Sequence, residues 1–209
     1  NRMKITTRLL HFIIRPVSLR AAFVASMIAL VLVNSVQANE PKNDKARFAT
    51  AYKEYERQIA NSNFSAALGP ARQSYELGKK IYDPESETVV LLTNNLAYVL
   101  AELRQEEESE ELFLISLKGA EKLYGRDALE LVQILMDLAS VTIRPFKRGS
   151  EESYFIRALK ITKQHYGEDS KELGELNIRI GNMIMHKAKA RTAKKYLDRG
   201  LKILEKAAG

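Results

Sequence analysis

Three histidines, no cysteine and no tryptophan set what catalysis this chain can attempt. His11 sits in a basic leader, His165 beside Tyr166, and His186 has no second acid–base group at a recognisable spacing. A histidine base needs a nucleophile or a metal partner placed by the fold. The chain has no His-Glu-x-x-His, no phosphate-cradling glycine loop and no Gly-x-Ser-x-Gly. Without cysteine there is no thiol nucleophile, disulfide or cysteine zinc site. Glu106, Glu107, Glu108, Glu110 and Glu111 crowd together without the glycine a calcium loop requires, so they read as a solvated helix face. Lys187, Lys189, Arg191, Lys194 and Lys195 form a basic cluster. It could touch anionic lipid or an acidic partner, with a solvated surface as the plainer reading. The expectation is a protein that is not an enzyme, with no cofactor and no metal.

The charge balance narrows the partners. The 209 residues carry 33 basic and 26 acidic side chains, a net charge of +7. Residues 1–38 hold five of the basic groups (Arg2, Lys4, Arg8, Arg15 and Arg20) and no acid. The remainder has 28 basic and 26 acidic groups, a net of +2, so no nucleic-acid partner is expected. Hydrophobic residues make up 45% and prolines number only 5, which argues for a folded body.

The leader itself reads as an address. After Arg20, the run from Ala21 to Val33 carries no charge. A membrane-spanning helix wants about 20 apolar residues, whereas an export signal wants a shorter core, a basic start and small residues at the cut. Val36-Gln37-Ala38 supplies such a cut, ahead of a polar Asn39-Glu40-Pro41. The expectation is a signal peptide over 1–38 cleaved after Ala38, a linker over 39–44 and a folded domain over 45–209. In a bacterium that places the body in the periplasm or outside the cell. The alternative is a retained inner-membrane anchor.

The body repeats itself with one long, fixed period. Tyr82, Tyr124 and Tyr166 are evenly spaced, and the same interval relates Leu96-Ala97, Leu138-Ala139 and Ile180-Gly181. It also relates Phe113, Phe155 and Leu197, then Leu117-Lys118, Leu159-Lys160 and Leu201-Lys202. A fixed period of this length means stacked supersecondary units. Helical spacing of apolar residues predicts eight helices in four pairs: 44–61 and 64–81, 86–103 and 106–122, 128–144 and 149–164, 170–186 and 189–206. Asp127 with Glu130, and Asp169 with Glu172, have the spacing of a capping box. Gly125 and Gly167 suit a left-handed helix end. Pro145 and Gly149 break the pattern inside the third pair, whereas the turns near Gln105 and Lys187 lack a strong breaker.

Small residues recur at matched registers, with Ala97, Ala139 and Gly181 in the first helices and Ser116, Ala158 and Gly200 in the second. Ala67 and Ala193 begin two of the second helices. They let helix axes approach, while Phe113, Phe155, Leu197 and Tyr98 fill the space left. Each pair then buries its apolar face only against its neighbours. Leu201, Ile203 and Leu204 crowd the last helix without a polar cap, an expected route to self-association through the C-terminal pair.

This pattern resembles the tetratricopeptide repeat, in the longer form seen in kinesin light chains. Thr-Asn-Asn-Leu-Ala (93–97) is similar to the family's Leu-Asn-Asn-Leu-Ala segment. Leu-Tyr-Gly (123–125) and Tyr-Gly-Glu-Asp (166–169) resemble its inter-repeat corner. Ala-Leu-Lys-Ile (158–161) and Gly-Leu-Lys-Ile (200–203) resemble the end of its second helix. The likeness is strong over 81–207 and weaker over 45–80. Thr93 and Asn177 stand where the family has a bulky residue, and Glu151 where it has a small one.

The resemblance implies an all-α, right-handed superhelical solenoid of antiparallel helix pairs, preceded by the signal or anchor helix. It implies a non-catalytic scaffold that takes a protein or peptide segment along a concave side lined by first helices. Projected onto those helices, the inward positions are Asn94, Asn95 and Tyr98, then Gln133, Asp137 and Ser140, then Arg179, Asn182 and His186. An Asn side chain can pair with both halves of a peptide bond. Arg179 could hold a carboxylate with two parallel hydrogen bonds. Relatives that clamp a C-terminal carboxylate use several Lys and Asn at matching sites. With Asn residues and one Arg here, that clamp is not expected.

Overall fold

The computed structural model describes residues 42–143, 150–185 and 190–208, which fall into two compact units divided between Tyr82 and Asp83. Among the described residues there are eight helices and no strand. The leader 1–38, the breakers Pro145 and Gly149, and the Lys187 turn lie outside the described residues.

The first unit is one helical hairpin. Helix α1 (Lys42–Ala60) begins inside the stretch expected as a linker, and α2 (Phe64–Ile81) returns against it. Phe48, Tyr52, Tyr55 and Ile59 are buried on α1, and Ala67, Ala71, Ser74 and Leu77 on α2. Large side chains on one helix thus meet small ones on the other. Tyr82 closes the unit edge-on to Phe48, with ring centres 5.5 Å apart.

The second unit stacks three hairpins. These are α3 (Glu87–Glu102) with α4 (Glu106–Tyr124), α5 (Leu131–Thr142) with α6 (Ser150–Tyr166), and α7 (Lys171–Met185) with α8 (Ala190–Ala208). Within it each second helix also packs on the next first helix, α4 on α5 and α6 on α7, and α3 touches α5. The core is therefore a continuous stripe with Phe113, Leu131, Leu135, Leu138, Phe155 and Ile161 at its middle. Each such buried large side chain contributes about 1.5–3 kcal/mol.

The helix starts follow a rule visible only once the repeats are laid over one another. Ser86 accepts the amide of Val89, and Ser170 accepts that of Leu173. These serines stand two periods apart, and the position midway between them is Ala128. Alanine has no oxygen to offer an orphan amide. Helix α5 accordingly starts only at Leu131, with Glu130 as an N-cap that makes no side-chain bond. The expected capping boxes are corrected by this. Asp169 lies one residue short of the Ser170 cap and Asp127 three short of Glu130, and their carboxylates pair instead with Lys206 and Lys160 on second helices.

The turns repeat too. Ser62 and Arg104, one period apart, both have positive φ, at 54° and 61°. Each is followed by a six-to-one backbone bond, Asn63 to Gln58 and Gln105 to Leu100. The turn near Gln105 therefore needs no glycine or proline. At the corners Gly125 and Gly167 have φ of 91° and 99°. Gly125 has ψ of 161°, an extended glycine conformation rather than the left-handed helical one expected.

Close approach within the pairs occurs at one set of registers. Ser109 Oγ donates to the Ala97 carbonyl at 2.7 Å, and Ser116 Oγ to the Val90 carbonyl at 3.3 Å. Two hairpins later, at the same registers, a methyl group on Gly181 would lie 3.1 Å from the Ala193 carbonyl. A methyl on Gly200 would lie 2.8 Å from the Gly174 carbonyl. Thr93 and Asn177 are buried, and each donates to the carbonyl four residues earlier, at 2.7 and 2.8 Å. Glu151 is buried at the register of Ser109 and Ala193.

Ala128→Ser should supply the missing cap, extend α5 towards Leu129, and raise unfolding stability by about 1 kcal/mol in a urea titration; an unchanged midpoint would refute the cap rule. Gly200→Ala should cost about 1–3 kcal/mol, because a backbone carbonyl cannot step aside. Gly119→Ala should cost less, because its obstacle is one Val90 methyl group with no backbone atom behind it within 4 Å.

Candidate functional site

The first helices of the second unit carry a row of polar side chains, and two hairpins are tied together along it. Asn95, Asp137 and Arg179 occupy one register in three successive repeats. Gln133 lies one turn before Asp137 on α5. Its side-chain amide donates to Asp137 Oδ1 at 2.6 Å. Its carbonyl accepts from Arg179 Nη2 on α7 at 3.1 Å. The opposite amide orientation would lose both bonds. Burial pushes the Arg179 guanidinium below its usual pKa, while the Asp137 charge holds it up. Arginine stays protonated through such a shift. The arrangement is a bridged acid–base pair in which the glutamine relays between the two charges.

The other expected positions divide. Ser140 is half-buried and donates to the Asp137 carbonyl of its own helix. Tyr98 is half-buried and Asn182 exposed, at the register of Ser140. Asn95 is buried. Asn94 is half-buried, and its Oδ1 is buried with no hydrogen-bond partner among the described residues. Its repeat mate Ile178 lies over Gly200 of the partner helix, so this register faces between the helices of a pair. His186 lies outside the described residues. Sequence projection missed that Arg179 is already engaged. The signal was available, since Gln133, Asp137 and Arg179 share one face on consecutive first helices.

His165 has a structural place. Its Nε2 lies 2.9 Å from the Asp127 carbonyl, tying the end of α6 to the preceding corner. The corner tyrosines are held similarly. Burial, then the Glu87 and Glu130 carboxylates, push the Tyr124 hydroxyl well above its usual pKa, and Glu87 accepts its hydrogen bond. Burial and the Glu172 and Glu130 charges raise Tyr166 in the same sense. These groups brace the stack. Among the described residues no three His, Asp or Glu side chains gather as metal ligands. Nor is any described helix long and apolar enough to cross a membrane.

Hairpins of this size, repeating at one register, define a helical-repeat protein. A family model described as the tetratricopeptide repeat matches residues 91–127, which span most of α3, all of α4 and the corner after it. The resemblance carried by 93–97 and 123–125 is thereby shown for that repeat. No curated protein matches the chain. Among solved structures the chain is similar to BtubC (BKLC) from P. vanneervenii, with a TM-score of 0.67 and 17% identity. The match covers 83% of this chain and 69% of that one. At that identity the likeness is one of fold. Tetratricopeptide repeats generally serve as non-catalytic scaffolds for protein–protein interaction.

If the glutamine bridge couples the two hairpins, Gln133→Leu and Arg179→Met should be non-additive. A double-mutant cycle on urea stability should give a coupling of about 1 kcal/mol. Additive losses would show that the contact has no energetic weight.

Proposed function

We propose that this chain is an exported, non-catalytic scaffold that holds an extended segment of a partner protein along its first helices. The observation that carries this reading is the polar row on α5 and α7. There Asp137 and Arg179 are fixed by Gln133 on rigid helices, while the exposed Asn182 lies alongside. Groups held in place by packing lose little freedom when a ligand arrives. The row carries one acid and one base linked through Gln133, which suits the backbone of a peptide more than a strongly charged end. Export rests on the basic leader, the short apolar run and Val36-Gln37-Ala38.

A second reading keeps residues 1–38 as an inner-membrane anchor, making the repeat domain a tethered assembly or secretion factor in the periplasm. The long basic stretch ahead of Ala21 favours it.

One sample tests both. A photo-crosslinking residue at position 182 should capture a discrete partner, and Arg179→Glu should reduce that adduct at least about tenfold. A chain that yields no adduct from position 182 or position 140 is not using this row. Mass spectrometry of the same native protein should find Asn39 at the N-terminus. An intact leader would replace export with the tethered reading.

A further inference from the structure

Two large apolar side chains lie exposed in the middle of α4. Leu114 and Ile115 are 43% and 56% exposed. At their registers the other second helices carry Arg72 and Gln73, Ile156 and Arg157, and Asp198 and Arg199. Only α4 sets two apolar residues there. Ile156 is exposed on α6 and widens the apolar ground by one hairpin, beside Ser153 and a Lys160 that pairs with Asp127. Of the residues expected to drive self-association through the C-terminal pair, Ile203 is buried and Leu204 half-buried.

Charges flank the α4 pair in a fixed order. Glu107, Glu111 and Lys118 are exposed, with no ion pair among the described residues. Lys122 is also exposed and pairs with Glu85. At about 100° per residue, these four and the two apolar residues fall within a sector of about 100°, and no other residue of α4 does. Along it the order is Glu107, Glu111, Leu114, Ile115, Lys118 and Lys122, at intervals of four, three, one, three and four residues. Turned end for end, the stripe keeps its spacing and exchanges acid for base. The helix dipole by itself accounts for acids at the start of a helix and bases at its end. It does not account for two exposed apolar residues at the midpoint.

We infer that this stripe of α4 is a two-fold interface with a second copy of the chain. In a two-fold contact each pairing between copies occurs twice, once in each direction. The two α4 helices run antiparallel, with Leu114 of one copy over Ile115 of the partner subunit. Glu111 faces Lys118 of the partner subunit, and Glu107 faces Lys122 of the partner subunit. A parallel arrangement would set like charges against each other. A membrane surface, or a partner of one charge sign, would meet the wrong sign at one end of the stripe. The apolar centre supplies the attraction and the ion pairs fix the direction. The contact is small, so the dimer is one that forms as concentration rises. The stripe lies on a second helix and not on the first-helix row, so either can fail without the other.

The test is sedimentation equilibrium of the native protein over a dilution series at low ionic strength. The parent should pass from monomer to dimer as concentration rises, and Ile115→Glu should weaken the dimer at least about tenfold. Glu111→Lys and Lys118→Glu should each weaken it by about tenfold, because like charges then stand opposite. An equimolar mixture of those two variants should restore the dimer, since each supplies the sign the other lacks, and added salt should diminish the restoration. All three sites are exposed, so thermal melting of the variants should match the parent. A parent that stays monomeric throughout, a dimer indifferent to Ile115→Glu, or a mixture that restores nothing would overturn the inference. So would a dimer dissolved by Leu201→Glu and not by Ile115→Glu, which assigns the contact to the C-terminal pair.

Discussion

The whole stack depends on how closely the two helices of a hairpin approach at two registers. At one, Ser109 reaches the Ala97 carbonyl, and Gly181 lies under the Ala193 carbonyl. At the other, Ser116 reaches the Val90 carbonyl, and Gly200 lies against the Gly174 carbonyl. Serine in one hairpin and glycine in another solve the same problem, since neither puts bulk between the backbones. Once the axes are this near, Phe113 and Phe155 can be enclosed and the next pair has a regular surface to sit on. Interiors packed to crystal-like density transmit such spacing with little slack.

The period, the helix pairing and the small-residue registers could all be read from the letters, because each is a matter of side-chain size at a fixed interval. The helix starts could not be placed from local spacing. Asp127 and Glu130 satisfy the local rule for a capping box, yet the caps are Ser86 and Ser170, and the repeat puts a capless Ala128 between them. Arg104 is a similar case. Nothing in its type suggests a positive φ, but its repeat mate Ser62 adopts the same conformation because the six-to-one bond demands it. In a repeat protein the neighbouring copy constrains a residue more than its neighbours in sequence do.

The candidate site divides along the same line. Projection onto a helix chose the right face for Gln133, Asp137 and Arg179, but it treats each side chain as free. Long polar side chains on adjacent helices find each other, so Arg179 bonds to Gln133 and feels Asp137 before any ligand arrives. Asn94 shows the converse. Its type suggests recognition, whereas its register, shared with Met136 and Ile178, belongs to the interior of a pair.

Because the chain has no cysteine, disulfide trapping reads these registers directly. Cysteines can join only when their Cα atoms lie within about 7 Å and their Cβ vectors converge. Cysteine pairs placed at Ala97 with Ser109, and separately at Gly181 with Ala193, should oxidise rapidly and in high yield within the monomer. A control pair at Ala97 with Glu111, which points away, should not. Failure of both register pairs, or equal yield from the control, would contradict the close approach on which the stack rests.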